Sequence, residues 1–274
     1  YFNMIFRLAK DIKFSRFYKK LNILSLILII LSILVLLFNG LNLGVDFKGG
    51  TLIEIRTDNV NVNIGEIRQS LLKMKLGDVT VKKFGKENDY LVKIEMKKNE
   101  DENFIQSIKD ELSSDLGTNV NFRRVENVGP KVSRELLRDG LVAIILSLAA
   151  MLFYIWIRFE WQFSLGAISA IIHDVIITLG IFSLLSYEVN LSIVAAVLTI
   201  VGYSMNDTVV IFDRIRENLK KYSKISISEI SDTSTNETLS RTLITSVTTL
   251  LALFSIYIFG GAILKGFSFA MIIG

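Results

Sequence analysis

The sequence predicts a polytopic α-helical membrane protein with one α+β domain set between its first two spanning helices. Three observations predict it. Apolar residues fill 51% of the 274 positions. They gather in runs of the roughly 20 residues that cross a bilayer as a helix. The interval 39–139 is instead polar, with mixed and nearly balanced charge. Spans read at 21–38, 140–157, 163–186, 191–212 and 243–258, and a sixth begins near Ala262 and is cut off at Gly274, too short to cross. The chain opens on Tyr1 rather than Met, so both ends read as boundaries of a segment. The expected organisation is a cytoplasmic segment 1–20, an extracytoplasmic domain with an entry helix over 39–139, and a bundle over 140–274 containing a cytoplasmic loop 213–240.

Orientation follows from the basic residues of the short loops. Arg7, Lys10, Lys13, Arg16, Lys19 and Lys20 precede the first span, Arg158 sits between the second and third, and Arg214, Arg216, Lys220, Lys221 and Lys224 follow the fourth. The opposite turns, 187–190 and 259–261, carry no Lys or Arg. Six helices with both ends in the cytoplasm satisfy all of these. The net charge of +4 is therefore a topology signal rather than a nucleic-acid footprint, because the basic residues lie beside spans. The first span exceeds the usual ~7–15-residue signal-peptide core, and no small-residue cleavage site follows it. The absence of cysteine excludes disulfides, thiolate metal sites and Cys nucleophiles.

Within 39–139 the periodicity changes in order. Residues 51–57 alternate as a strand, and 64–75 space Ile64, Ile67, Leu71 and Leu72 as a helix. Residues 79–84 and 90–96 read as strands around the turn GKEND. Residues 104–116 repeat the helical spacing through Phe104, Ile105, Ile108, Leu112 and Leu116, and 119–128 is a final strand. The order βαββαβ is the split-βαβ, ferredoxin-like arrangement, a fold that hosts many functions. No triad, metal-ligand cluster or paired acid stands in it, so it reads as a binding or moving module rather than an enzyme.

The segment GVDFKGGT (44–51) has a superficial likeness to a phosphate-binding loop, but Gly50 stands where the phosphate-reaching Lys belongs and no helix follows. The physical reading is a tight turn. Gly44, Gly49 and Gly50 permit positive φ or close approach, and Asp46 holds the turn through bonds to the backbone.

Polar residues inside the spans carry the functional expectation. An ionisable group at membrane depth costs about 2.5–3.5 kcal/mol on insertion scales, so it sits there for a function or with a partner. Asn206 and Asp207 share a helical face with Thr199 and Tyr203, and a later span carries Arg241, Thr245, Thr248 and Thr249 as a second polar stripe. Facing each other, the stripes would form a hydrophilic seam. It is either an ion pair that fixes packing or a proton path, and the path is favoured: burial and a cationic neighbour pull a carboxyl in opposite senses, so a small movement switches its protonation. His173 and Asp174, near the centre of the third span, are either a satisfied interhelical contact or accessory members of a relay.

Five segments, GVDFKGGT (44–51), VGPKVSREL (128–136), YIWIRFEWQFSLGAISAIIHDV (154–175), GYSMNDTVVIFDRIREN (202–218) and SRTLITSVTTLL (240–251), closely resemble the SecF side of the SecD/SecF family of protein-export membrane proteins. The layout is also similar to one half of the resistance–nodulation–division transporters. The resemblance implies a non-enzymatic, multi-pass subunit of the bacterial inner membrane without a cofactor. It would use the proton-motive force to draw exported, unfolded polypeptide from the SecYEG channel. Its implied partners are SecD and SecYEG, with YajC and YidC beyond them. Residue by residue, the family's intramembrane proton-site Asp matches Asp207 and its functional Arg matches Arg241. Asn206, Tyr203, Asp174 and His173 complete the expected pathway. Two other readings are half of a proton-driven small-molecule or lipid exporter, and a static brace for the translocation channel. The small inserted domain speaks against the first, and Asp207 with Arg241 against the second.

Overall fold

The structure, a computed structural model, describes residues 11–59, 62–74, 76–77, 79–83, 87–94, 104–222 and 224–274. Arg7, Lys10, Lys75, Phe84 and the expected strand end at 95–96 lie outside them. The contacts divide the chain into two units, one of Tyr1–Asn42 with Ala143–Gly274 and one of Leu43–Val142.

The first unit is a bundle of long apolar helices. They are α1 (Ser15–Asn39), the bundle part of α5 (Pro130–Arg158), α6 (Trp161–Leu184), α7 (Leu191–Lys221), α8 (Ile227–Phe259) and the shorter α9 (Ala262–Ile273). Five of them are long and apolar enough to cross a membrane. Much of their apolar surface faces outward, as Leu26, Phe38, Trp156 and Ile258 do, which suits lipid or a protein neighbour rather than water. The chain is a polytopic membrane protein.

Small residues set a close contact between α1 and α6. Ser32, the buried residue of α1, meets Gly180 of α6 so closely that a Cβ on Gly180 would stand 2.4 Å from the Ser32 Cβ. Absence of a side chain at Gly180 is what lets the two backbones approach, the small-residue packing that membrane helices rely on. Below this, Ser183 of α6 donates to the carbonyl of Gly40 at 2.5 Å. The other end of α1 is held by α8. Phe14 cannot cap α1, and Asp232 supplies the missing acceptor from a distant helix, taking the Ser15 N–H at 2.7 Å and the Ser15 hydroxyl at 2.6 Å. Asn236 pairs with both backbone groups of Ile12.

The helices outrun the apolar runs. α7 continues past Phe212 to Lys221 and α8 starts at Ile227, so most of the expected loop 213–240 is helical. The apolar pattern marks where a helix meets lipid, whereas the polar extensions are held by side-chain bonds. Asn218 donates to Ser234 at 3.0 Å and to Glu237 at 2.8 Å, and Arg214 bonds Glu237 at 2.6 Å.

The second unit contains β2 (Gly50–Thr57), α3 (Ile64–Lys73), β3 (Val79–Lys83), β4 (Asp89–Ile94), α4 (Phe104–Leu116) and β5 (Val120–Val128), with the one-turn α2 (Val45–Lys48) ahead of them. The two-residue strands β1 (Asn42–Leu43) and β6 (Glu188–Val189) stand outside its sheet. That sheet has the order β3-β4-β2-β5, every neighbour antiparallel, with Ile53 opposite Val92 on one side and Val125 on the other. Alternate residues Ile53, Ile55, Tyr90, Val92 and Ile94 close one face against Ile67, Leu71, Ile108 and Leu112 of the two helices. Asn63 caps α3 in a reciprocal box with Glu66. Lys73 of α3 bonds Asp115 of α4 at 2.9 Å. That bond, with Ser70 second, holds the Asp115 carboxyl below the usual carboxylate range. Its contribution to stability is present above the unfolded pKa near 4 and is lost as pH falls through the lower folded value.

The 44–51 segment departs from its expected form at two points. A single helical turn occupies Val45–Lys48, and Gly44 at its N-cap has an ordinary extended backbone (φ −72°). Positive φ falls on Gly49 (78°) and Gly50 (123°) alone in this segment. A Cβ on Gly49 would also meet Ser133 Oγ and the Val128 carbonyl at 3.3 Å. Gly49→Ala and Gly50→Ala are each expected to cost about 1–3 kcal/mol, speeding amide exchange in β2 and β5 of the intact chain by roughly 5–150-fold. Unchanged exchange in both variants would contradict the backbone reading.

Candidate functional site

α7 positions the site. Asn190 caps it, its side-chain oxygen accepting the Ile193 N–H at 3.2 Å. Ile193, Ala196, Val197, Ile200 and Val201 then bury one side of its first half. A polar side follows within the same apolar helix. Tyr203, Ser204, Asp207 and Thr208 line a cavity of about 350 Å³ together with Asp174 of α6, Ser246 of α8, and Met271 and Gly274 at the end of α9. Ile200 and Ile211 supply its apolar wall.

Asp207 is half-buried, and among the described residues it makes no hydrogen bond or ion pair. Arg241 acts on it through charge without direct contact. Asn206 is exposed and does not line the cavity. Consecutive helix residues stand 100° apart, so the face that carries Asp207 and Tyr203 inward turns Asn206 away. The expected single stripe on α7 is therefore divided.

The α8 stripe is divided too. Tyr203 donates its hydroxyl to the Thr245 carbonyl at 3.0 Å and lies 2.8 Å from the Thr249 hydroxyl, tying α7 to α8 beside the cavity. Thr248 is exposed and bonds its own helix at the Ile244 carbonyl. Ser246, rather than Thr248, reaches the cavity.

On α6, Asp174 is held at three points. Its Oδ1 lies 2.9 Å from His173 Nδ1, its Oδ2 accepts the Ser204 hydroxyl at 2.6 Å, and its carbonyl accepts the Thr178 hydroxyl at 2.7 Å. Ser204 is the residue sequence reasoning missed: a single serine inside an apolar helix carries no signal until the partner helix is in place. Its position three residues before Asp207 would have put both on one face.

One end of the bundle is fixed by a separate cluster. Asp213 of α7 bonds Arg158 at 3.2 Å and Arg216 at 3.0 Å, and both guanidiniums lie over the Phe159 ring at about 5 Å. Phe159, Phe163 and Phe212 pack against one another beneath them in tilted and edge-on arrangements. The conspicuous WIRFEW and IFDRIREN segments thus form a helix-end anchor. Among the described residues no group of three or more His, Cys, Asp or Glu could hold a metal ion.

The profile "Protein export membrane protein SecD/SecF, C-terminal" matches residues 108–274. The chain belongs to the SecD/SecF family. A second profile of that family, the SecD/SecF GG motif, matches residues 34–59, where Gly49 and Gly50 hold their positive φ. Curated relatives include the protein translocase subunit SecF of Rickettsia bellii, 43% identical over 96% of this chain and 87% of the relative. That of Vibrio alginolyticus is 44% identical over 98% and 86%. Among solved structures, the translocon-associated SecDF of Thermus thermophilus superposes with a TM-score of 0.87 at 32% identity, covering 96% of this chain and 36% of that one. A SecDF structure in a super-membrane-facing form gives 0.70, also at 32% identity and covering 98% of this chain. The chain thus spans about a third of SecDF.

Tyr203 joins two helices at the cavity wall, so removing its hydroxyl tests that junction. Tyr203→Phe is expected to destabilise the bundle by about 0.6–2 kcal/mol, the range of hydrogen bonds between membrane helices. Reversible unfolding in mixed micelles measures it, and a Tyr203→Phe curve superimposable on the parent's would contradict the tie.

Proposed function

We propose that this chain is the SecF-type subunit of the bacterial protein-export machinery. In this reading it assembles with SecD and the SecYEG channel in the inner membrane and uses the proton-motive force to advance unfolded polypeptide outward. Six spans carry it, the sixth beginning with α9, with the N-terminus in the cytoplasm. The sheet order and the βαββαβ sequence of elements support a ferredoxin-like domain, which the charge pattern of the loops assigns to the outer face. YajC and YidC are the further partners of this reading.

The observation that carries the reading is Asp207: a carboxyl group on an apolar helix, open to a cavity and lacking any bonded partner among the described residues. A carboxyl that served only packing would be paired, since an unpaired buried charge is costly. Asp207 is instead free to take up and release a proton, with Arg241 as the cation near it. No nucleotide-binding loop is present in the sequence to supply another energy source. One proton crossing 100 mV yields about 2.3 kcal/mol, and each pH unit adds about 1.4 kcal/mol. That is enough to bias a two-state movement several-tenfold per step.

The inserted unit, Leu43–Val142, is small and its core is filled by its own side chains. This favours a moving or polypeptide-contacting module over the substrate-pocketed porter domain that an exporter of small molecules needs.

Asp207→Asn keeps shape and removes titration. It is expected to abolish gradient-stimulated export in membrane vesicles containing the assembled complex while leaving protein level and insertion unchanged. Export at the parental rate would rule out the proton-carrying role. Arg241→Lys keeps the charge but loses the planar fork, so partial activity is expected, and Arg241→Ala should be the more severe variant. Equal activity in the two would contradict the assignment of Arg241.

A further inference from the structure

The unexplained feature of the site is Ser204. Its hydroxyl bonds Asp174 of α6 across the helix interface at 2.6 Å, and it stands one turn from Asp207 on the wall of the same cavity. Two carboxyl groups on two helices therefore look onto one space, one unbonded and one held by a hydroxyl and an imidazole. We infer that Asp174 is the second proton station of this bundle, with Ser204 the hydroxyl that connects it to Asp207. The inference rests on the reading of Asp207 as the first station.

The chemistry follows from the bonding pattern. Asp174 accepts from Ser204 on Oδ2 and faces His173 Nδ1 from Oδ1, so its carboxyl bridges a neutral donor and a titratable ring. When a protonated Asp207 gives up its proton toward Ser204 Oγ, directly or through cavity water, Ser204 passes its own hydroxyl proton to Asp174 Oδ2. Asp207 ends as carboxylate, Ser204 regains a hydroxyl proton and Asp174 ends as the acid, so one proton moves and nothing else changes. A cavity of about 350 Å³ lined by hydroxyls and carboxyls has the room and the polar partners that ordered water needs.

The surroundings leave few other groups to take this part. From α7 the ionisable residues on the cavity are Asp207 and Tyr203, while α8 and α9 contribute Ser246, Met271 and Gly274. The stretch 21–39 of α1 carries no ionisable side chain, and α5 faces α6 with the apolar Leu148, Met151 and Ile155. Arg241 acts on Asp207 through charge and is absent from the cavity lining. Among the described residues Asp174, beside His173, is the second carboxyl on this wall. Placing the two stations on different helices has a mechanical consequence: movement of the proton shifts charge from α7 to α6, the helix on which α1 packs through Gly180.

The test uses the full-length chain assembled with its partner in membrane vesicles, with gradient-stimulated export followed from pH 5.5 to 8.5. Asp174→Asn is expected to lower export at least tenfold. Ser204→Ala should slow it severalfold and displace the midpoint of the pH profile by about one unit. Ser204→Thr, which restores a hydroxyl, should recover most of the rate and the parental midpoint. A merely structural Ser204 would lower the rate without moving the midpoint, and that result would overturn the connecting role. Parental rates and profiles in both Asp174→Asn and Ser204→Ala, with Asp207→Asn inactive, would overturn the second station and leave the first intact. An active Asp207→Asn would instead remove the reading on which both rest.

Discussion

Asp207 lies midway along α7, on a helix whose first half is buried among apolar side chains, with no bonded partner among the described residues. A carboxyl group in such a place is costly to ionise unless a cation or water reaches it. The neighbouring structure answers that constraint with distance rather than contact. Arg241 acts through its charge, and among the described residues it forms no ion pair with the carboxyl. Tyr203, the residue one turn before Asp207, spends its hydroxyl on α8 instead. Ser204, on the same face, spends its own on Asp174. The polar groups around Asp207 are thus bonded to one another and leave it open.

One end of the bundle is held by several polar clusters. Asp213 gathers Arg158 and Arg216 over the Phe159 ring, and Asn218, Ser234, Arg214 and Glu237 join the polar extensions of α7 and α8. Asp232 and Asn236 grip the start of α1, and Ser32 meets Gly180 at backbone distance. Each surface-facing ion pair is individually worth little. Shared between several partners, they fix where the helices begin and end. The cavity lies farther along α7, where single hydroxyl contacts from Tyr203 and Ser204 reach the neighbouring helices.

Much of this was legible from sequence because it depends on local pattern. Alternation gave the four strands of the second unit, helical spacing gave α3 and α4, and lone charged residues in apolar runs pointed to Asp207 and Arg241. What escaped the sequence depends on a partner brought from far along the chain. Nothing near Ser15 announces that Asp232, more than two hundred residues away, will cap its helix. The Ser32–Gly180 approach is likewise a property of two helices and not of either. The extensions of α7 and α8 carry Ser, Thr, Asn and Asp, which compete locally with helix formation and read as loop. Interhelical bonds such as Asn218 to Ser234 decide otherwise. The spacing from Thr199 and Tyr203 puts Asn206 and Asp207 on one broad face, but the 100° step between them leaves Asn206 exposed and off the cavity wall. Gly44 was grouped with Gly49 and Gly50 by composition, although backbone sterics demand glycine only where φ is positive.

The central claim is that Asp207 changes its protonation state when the gradient does work. Infrared difference spectroscopy on the complex, carrying isotope-labelled aspartate in reconstituted membranes, reads this directly when spectra with and without an imposed proton gradient are subtracted. The account predicts a gradient-dependent carboxylic-acid band that shifts with the label and disappears in Asp207→Asn. A difference spectrum with no aspartic-acid band, recorded from complexes that respond to the gradient by exporting polypeptide, would contradict it.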